Sequence, residues 1–241
     1  MADYAVVAEK LTRTFGGFRA VDGIDFAVER GEIFGFLGAN GAGKTTTIRI
    51  LCGLLRPSGG RCEVDGIDVG AEPEKVKRRI GYMSQKFSLY EDLTVAENFR
   101  FFGGVYGMKN GDIVQRQMEL FGRLGLEEVG DKMPGELPLG WKQKVALASA
   151  VLHRPRIVFL DEPTSGVDPI SRRTFWKLIH SLASQGTTVF VTTHYLDEAE
   201  YCNRISIMEA GRIAAVGSPA QLKASYGGQS VEEVFIRLLR N

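Results

Sequence analysis

The sequence has few cysteines, and they are scattered. Cys52, Cys62 and Cys202 form an odd set without the spacing of metal ligands. This pattern argues against a disulfide framework or a zinc module and predicts small core residues in a reducing compartment. No apolar run approaches the roughly 20 residues that a membrane-spanning helix needs, and no signal pattern follows Met1. We therefore expect a soluble, cytosolic protein that would reach a membrane only through a partner.

Neither sign of charge is in excess. The chain carries 30 Lys and Arg against 29 Asp and Glu, a formal net charge of +1 at pH 7. Nucleic-acid-binding domains are usually strongly basic, so the balance argues against such a partner. The length of 241 residues suits one α/β domain, with or without a small insertion.

A glycine-rich segment, Gly38–Thr45, lies between two patterned stretches. Residues 33–37 predict a buried strand, and residues 46–51 predict a helix. Strand, glycine loop and helix are the context that the pattern G-x-x-x-x-G-K-[ST] requires. The glycines let backbone N–H groups point at a phosphate, and the helix N-terminus adds partial positive charge. Because Lys44 can reach the β- and γ-phosphates and the Thr45 hydroxyl can bind Mg²⁺, the segment predicts a nucleotide site.

Two adjacent carboxylates follow a second apolar run, 156–160. This run predicts a central strand of a parallel sheet. A carboxylate at its end, Asp161, would lie beside the phosphate loop and could hold Mg²⁺ directly or through water. The next residue, Glu162, would then orient and polarise a water for in-line attack. The alternative interpretation is a structural carboxylate at a strand end.

Strands and helices alternate along most of the chain, which predicts a mostly parallel α/β sheet. The exception is a helical insertion, where two helical segments adjoin without an intervening strand. The first opens at Thr94, which forms a capping-box pattern with Glu97. Further strands are predicted at 5–8, 24–28, 61–64, 80–83, 187–192, 205–208 and 213–216, and helices at 95–106, 111–124, 141–153, 195–201 and 230–239.

The order and spacing of these motifs resemble the nucleotide-binding domain of an ATP-binding cassette (ABC) transporter, from end to end. The resemblance implies one domain over 1–241 with the ABC ATPase fold. That fold has a P-loop NTPase core with a mostly parallel sheet and a small antiparallel β subdomain (about 1–85 and 155–241). A helical subdomain would occupy about 86–154. The implied cofactors are ATP and Mg²⁺.

The resemblance also assigns roles residue by residue. The segments Gly38–Thr45 and Asp161-Glu162 match the two Walker motifs, and Ser165–Asp168 resembles the D-loop. Implied catalytic residues are Lys44, Gln85 (the Q-loop), Glu162 and His194 (the switch histidine), and implied Mg²⁺ ligands are Thr45, Gln85 and Asp161. Implied nucleotide contacts are Phe15, Gly38, Asn40, Gly41, Ala42, Gly43, Lys44, Thr45 and Thr46.

Three of these residues also have structural interpretations. Phe15 matches the aromatic residue that stacks on adenine, and its place in a Gly16-Gly17 turn favours an exposed ring. Phe18 is the competing candidate. A histidine after a strand, as His194 is, is often only a hydrogen-bonded structural residue. Gln85 could be an ordinary surface loop residue.

The signature motif departs from the family. The usual L-S-G-G-Q is here Leu137-Pro138-Leu139-Gly140-Trp141. In the family, this segment of one domain closes over the γ-phosphate bound by the other, and the D-loop residue Asp168 adds dimer contacts. Pro138 has neither a hydroxyl nor a backbone N–H, and Leu139 adds bulk where glycine gives access. Losing a transition-state donor can cost on the order of 10²-fold in rate.

This departure suggests an asymmetric pair. The Walker motifs of the chain are complete, whereas its signature motif has lost groups that would contact the γ-phosphate of a partner. A second ABC ATP-binding domain with a standard signature would complete the site built on Lys44 and Glu162. A pseudo-heterodimer is therefore expected rather than a homodimer, and the partner's own site would be slow or structural.

The family implies a transmembrane permease as a further partner, with the chain cytoplasmic and peripheral to the membrane. The stretch 87–106 is dense in aromatic residues, most of them expected in the core. An exposed subset, Phe87, Leu89 and Tyr90, is predicted to receive the permease. The expected function is an ATPase that powers a transporter, with export favoured by resemblance. The alternatives are a non-transport ABC ATPase and a catalytically silent nucleotide-binding regulator.

Overall fold

The computed structural model describes residues 3–239, with side chains through Leu238. In this part of the chain the strands are β1 Tyr4–Phe15, β2 Phe18–Glu29, β3 Ile33–Leu37, β4 Gly59–Val64, β5 Ile67–Asp68, β6 Ile80–Met83, β7 Ile157–Asp161, β8 Thr188–Thr193, β9 Arg204–Glu209 and β10 Arg212–Gly217. The α-helices are α1 Lys44–Leu51, α2 Pro73–Arg79, α3 Val95–Val105, α4 Asn110–Leu124, α5 Leu139–Ala150, α6 Pro169–Ala183, α7 Pro219–Tyr226 and α8 Val231–Leu239. None of these helices is long and apolar enough to cross a bilayer.

A six-stranded sheet with the order β10-β9-β3-β8-β7-β6 occupies the centre of the molecule. Neighbouring strands run parallel from β9 to β6, and β10 is antiparallel to β9. Every residue of β3, β7 and β8 is buried, as expected for parallel strands covered on both faces. The prediction of a mostly parallel α/β sheet is confirmed.

A smaller antiparallel sheet, in the order β2-β1-β4-β5, covers one face of the central sheet. The two sheets meet through a layer of aromatic rings, in which the centroids of Phe26, Phe36 and Phe190 lie 5.3 to 6.1 Å apart. The hairpin of β1 and β2 turns at Gly16-Gly17, as predicted. Both strands are much longer than predicted, because their polar ends still pair through the backbone.

Helices α3, α4 and α5 lie between β6 and β7 along the chain and share a core with the other face of the central sheet. The predicted helices at 95–106 and 111–124 are confirmed to within one residue. The helix predicted at 141–153 instead spans Leu139–Ala150, because the carbonyl of Pro138 already accepts the N–H of Lys142 at 3.1 Å. The segment predicted as helical at 195–201 is a 3₁₀ turn, Leu196–Tyr201. The subdomain boundaries near residues 85 and 154 stay a prediction.

Candidate active site

The loop between β3 and α1 has glycine where a side chain would collide with the backbone. A Cβ atom on Gly38 or on Gly43 would lie 2.4 Å from a carbonyl oxygen of another segment. Gly43 also has a φ of +108° and Gly41 one of +84°, in the left-handed region that favours glycine. The backbone conformation of the loop therefore requires glycine at these positions. Helix α1 begins immediately after the loop, at Lys44.

Lys44 is almost fully buried, with 4% of its surface exposed. Its Nζ donates to the carbonyl oxygens of Gly38 at 2.8 Å and Ala39 at 3.1 Å. The same Nζ lies 3.4 Å from a carboxylate oxygen of Glu162. Burial lowers the pKa of Lys44, and the charge of Glu162 opposes that effect. The ammonium group is therefore positioned inside the loop, where it can bind an anionic phosphate.

Asp161, the last residue of β7, accepts hydrogen bonds from two hydroxyls. Thr45 Oγ1 donates to its Oδ1 at 3.1 Å, and Thr192 Oγ1 donates to the same oxygen at 2.8 Å. Burial raises the pKa of Asp161, so a cation beside it would offset the cost of ionisation. The hydroxyl and carboxylate oxygens of Thr45 and Asp161 fit Mg²⁺, which binds few protein ligands and shares phosphate oxygens. Consistent with this, no three His, Cys, Asp or Glu side chains cluster as a metal site within residues 3–239.

Glu162 lies at the centre of the site. Its Oε2 is 3.2 Å from Gln85 Nε2 and 3.1 Å from His194 Nδ1, and its Oε1 faces Lys44. The structure thus brings three of the predicted catalytic side chains, Lys44, Gln85 and His194, around the carboxylate of the fourth, Glu162. Gln85 contacts Glu162 and lines the same cleft as Thr45, and its role as a Mg²⁺ ligand stays a prediction.

The backbone of Glu162 is also unusual. Its φ is +49°, a conformation that non-glycine residues adopt at a cost and mostly at functional sites. The N–H of Glu162 donates to the side-chain oxygen of Thr192 at 2.9 Å and to its carbonyl oxygen at 3.1 Å. Thr192 therefore holds the side chain of Asp161 and the backbone of Glu162. Thr192 was not among the predicted site residues, although the two threonines that end the apolar strand β8 were a signal for it.

A cleft of about 430 Å³ opens over the phosphate loop. It is lined by Phe15, Phe18, Ala20, Asn40, Gly41, Gly43, Lys44, Thr45, Thr46, Gln85 and Glu162. Phe15 is 45% exposed and Phe18 is 64% exposed, and the two pair across the β1–β2 turn. Both candidates for the adenine contact therefore lie at the mouth of the cleft. The Arg13 guanidinium lies 4.5 Å from the ring centroid of Phe15, and this contact favours Phe15 as the residue that stacks on adenine.

The signature segment lies at the N-terminus of α5. Leu139 and Gly140 form the first turn of the helix, and Leu139 is 38% exposed. They line a second cleft, of about 540 Å³, with Pro138, Trp141, Gly166, Asp168 and the highly exposed Ile170 among its other walls. This cleft has no lining residue in common with the one over the phosphate loop. The signature of this chain is therefore not part of its own phosphate cleft.

Two buried polar side chains that the sequence did not single out support the site from behind. Gln143 on α5 donates to the carbonyl oxygen of Pro163, next to Glu162, at 2.5 Å. Glu198 is fully buried and accepts hydrogen bonds at 2.6 Å from Thr164 and from Thr193, the residue before His194. These bonds join the segment after β7 to the signature helix and to the end of β8.

The predicted permease-docking residues differ in exposure. Phe87 and Leu89 are half-buried and pack against the core, so the prediction that they are exposed is wrong. Tyr90 is 44% exposed, and its ring centroid lies 4.5 Å from that of Phe101, which is 41% exposed. Within the aromatic stretch 87–106, Tyr90 and Phe101 therefore form an exposed aromatic pair.

Comparisons with known proteins agree with this geometry. Residues 21–165 match a family model described as ABC transporter. The chain is 48% identical to the Escherichia coli protein named "Probable multidrug ABC transporter ATP-binding protein YbhF", over 98% of this chain but 42% of that protein. It is 41% identical to the Streptomyces peucetius "Daunorubicin/doxorubicin resistance ATP-binding protein DrrA", over 92% of this chain and 68% of the relative. The chain thus spans less than half the length of the first relative.

Solved structures show the same likeness. A structure described as the ATP-binding subunit of an ABC transporter superposes with a TM-score of 0.88 at 29% identity, covering 98% of this chain and 99% of that one. A dimeric ATP-binding cassette in a post-hydrolysis state, bound to ADP and Pi, gives a TM-score of 0.80 at 27% identity, over 88% and 98% of the two chains. With the phosphate loop and the carboxylates placed as described, this chain belongs to the ABC transporter family.

Proposed function

We propose that this domain is the motor of an exporter, in which ATP binding and hydrolysis drive a separate membrane permease. The proposal depends on the Glu162 carboxylate, which lies beside the phosphate loop and contacts Lys44, Gln85 and His194. The printed names of two relatives, one for multidrug transport and one for daunorubicin/doxorubicin resistance, favour export. The domain would be cytoplasmic and held at the membrane by the permease.

The residues divide the chemistry between them. Backbone N–H groups of Gly41–Lys44 and the Lys44 ammonium bind the phosphates of ATP. Mg²⁺, held by Thr45 and Asp161, supplies positive charge to the phosphate oxygens when bound. Glu162 accepts a hydrogen bond from the attacking water and directs its oxygen at the γ-phosphorus, so that ADP leaves in line. His194 holds Glu162 in place.

The domain works in a head-to-tail pair. The proposal rests on the separation of the phosphate cleft from the signature cleft. Pro138 and Leu139 remove the serine hydroxyl and a glycine from the signature, while the N-terminus of α5 keeps its partial positive charge. A partner domain with a standard signature should therefore activate the site built on Glu162. The site of that partner, facing Pro138 and Leu139, should be slow.

Steady-state ATPase activity against protein concentration tests this proposal. The domain alone should bind ATP and turn over slowly, and addition of a related domain with a standard signature should raise the rate. The double variant P138S/L139G should restore activity to the domain alone. The asymmetric pair is refuted if the unmodified domain hydrolyses ATP briskly as a homodimer and the double variant does not change the rate. Binding without turnover, even beside the partner, would instead identify a silent regulator.

The exposed aromatic pair supplies the proposed permease contact. Tyr90 and Phe101 lie in the helical insertion, next to the segment that begins at Gln85. Exposed aromatic rings of this kind are enriched in protein–protein interfaces. The variant Y90S/F101S should lose co-purification with the permease while keeping ATP affinity. Retention of the permease by this variant would place the docking surface elsewhere.

A further inference from the structure

A polar cleft of about 400 Å³ shares no lining residue with the cleft over the phosphate loop, and the mechanism does not use it. We name it the arginine cleft, because its charged lining residues are Arg116, Glu119, Arg123, Arg154 and Arg156. Arg156 immediately precedes β7, whose opposite end carries Asp161. At about 3.3 Å per strand residue, the cleft and the nucleotide rim are separated by roughly 15 Å of strand. A ligand in this cleft would therefore not touch the phosphate loop.

The arginine cleft has more positive than negative charge. Three guanidinium groups share the carboxylate of Glu119, with nitrogen–oxygen distances of 2.5 Å for Arg116, 3.0 Å for Arg154 and 3.7 Å for Arg123. Arg156 has no side-chain partner within the described part of the chain, and no second acidic residue of that part lines the cleft. One carboxylate thus faces four cations.

Part of this charge is held rigidly. Arg116 is only 8% exposed, and its guanidinium donates to the carbonyl oxygens of Val151 and Leu152, both at 3.3 Å. Because these contacts fix its position, the cation cannot turn away from its neighbours into solvent. Arg154, in contrast, is largely exposed and can reorient. Fixed like charges repel one another, and an anion placed among them relieves that repulsion.

We propose that the arginine cleft binds a phosphate-bearing anion at a site separate from the phosphate loop. The exposed guanidinium groups of Arg154 and Arg156 can each donate two parallel hydrogen bonds to phosphate oxygens, while the buried Arg116 adds fixed positive charge. An anion of two or more charges matches the excess of three cations. Such a group could come from a soluble polyphosphate or from the headgroup of an anionic lipid, since both present the same chemistry.

Calorimetric titration with inorganic pyrophosphate, in the absence of Mg²⁺, tests the site on the full chain. We expect the phosphate loop to bind pyrophosphate as well, which gives two sites per chain. The variant K44A should lose one site, and R154Q/R156Q should weaken the other at least tenfold. Both arginines are exposed, so that double variant should fold, which circular dichroism checks.

The matched control is R173Q/K177Q, which removes the same charge from the exposed face of α6. This variant should keep both sites. The proposal is overturned if R154Q/R156Q titrates like the wild-type chain, or if K44A binds no pyrophosphate at all. Neither outcome depends on ATP hydrolysis, so a failure here leaves the proposed motor function in place.

Co-sedimentation with vesicles separates the two sources of the anion. If the ligand is a lipid headgroup, the wild-type chain should sediment with phosphatidylglycerol vesicles and not with phosphatidylcholine vesicles, and R154Q/R156Q should stay in solution. Pyrophosphate binding without any vesicle binding identifies a soluble phosphate anion. Vesicle binding that survives R154Q/R156Q contradicts the lipid source.

Discussion

The Nδ1 atom of His194 lies 3.1 Å from Oε2 of Glu162. An ionised carboxylate can only accept a hydrogen bond, so the shared proton lies on Nδ1 of the imidazole. The other ring nitrogen is then left for a further contact. The two residues follow β8 and β7, which are parallel neighbours in the central sheet. The pairing of these strands therefore fixes the distance between the carboxylate and the imidazole.

This contact predicts that His194 acts by positioning Glu162. The variant H194A should lower kcat for ATP about tenfold to 100-fold, because a misdirected Glu162 no longer aligns the water. The dissociation constant for ATP should change by less than about twofold, since Lys44 and the loop still bind the phosphates. Both constants are measured under conditions in which the wild-type domain is active. The exposed His180 provides a matched control, H180A, and an unchanged kcat in H194A would remove His194 from the mechanism.

The two phenylalanines at the mouth of the phosphate cleft give a second prediction. Stacking of a base on an aromatic side chain is worth about 1–3 kcal/mol. If Phe15 is the adenine contact, F15A should weaken ATP binding about tenfold, whereas F18A should change it less than about twofold. Fluorescence titration with ATP measures both constants. The opposite order would assign the contact to Phe18.

The guanidinium of Arg13, 4.5 Å from the Phe15 ring, refines that experiment. A cation over an exposed ring contributes about 0.5–1 kcal/mol. The variant R13Q should therefore raise the dissociation constant for ATP roughly twofold to fivefold through the loss of this contact. It should leave kcat unchanged. Equal affinities for ATP in R13Q and the wild-type chain would show that Arg13 does not support the ring.

A half-buried histidine, His153, predicts how stability depends on pH. His153 Nε2 lies 3.0 Å from the carbonyl oxygen of Ile80, and its ring stacks on Tyr106 with centroids 3.5 Å apart. Burial lowers the pKa of His153 from 6.5 to about 4. Between these values the unfolded chain binds more protons than the folded chain, so this histidine destabilises the fold as pH falls. At pH 5 the protonation of His153 in the unfolded chain lowers the free energy of unfolding by about 2 kcal/mol.

Urea unfolding at pH 7 and pH 5 measures this contribution. Lowering the pH from 7 to 5 should reduce the free energy of unfolding of both proteins. The reduction should be about 2 kcal/mol smaller in H153Q than in the wild-type chain. Glutamine keeps a donor for the carbonyl of Ile80, and H180Q is the control for an exposed histidine. If H153Q and the wild-type chain lose the same stability, His153 does not titrate in this range.

Much of the site could be predicted from local patterns. Gly38, Asp161 and His194 each follow a short apolar run. Such runs predict buried parallel strands, whose carboxyl ends meet at one edge of the sheet. Residue types at three strand ends were therefore enough to predict one nucleotide site. The sequence could not tell whether Phe15 or Phe18 is the adenine contact, since the turn exposes both rings.

The rest depended on contacts between distant parts of the chain. Thr192 holds Asp161 and Glu162 only because β8 lies beside β7, and one sequence does not give the strand order. Gln143 and Glu198 look like ordinary helical polar residues until packing buries them. The early start of α5 has a similar cause, because the carbonyl of Pro138 begins the helix although its nitrogen cannot donate.

The catalytic role of Glu162 is tested most directly by single-turnover ATP hydrolysis with the variant E162Q. Glutamine keeps the size of the side chain and its contacts with Gln85 and His194 but removes the negative charge that polarises the water. We expect tight ATP binding and a rate of hydrolysis lowered about 10²-fold or more, with the nucleotide trapped as ATP. Undiminished hydrolysis by E162Q would contradict the assignment of Glu162 as the catalytic carboxylate.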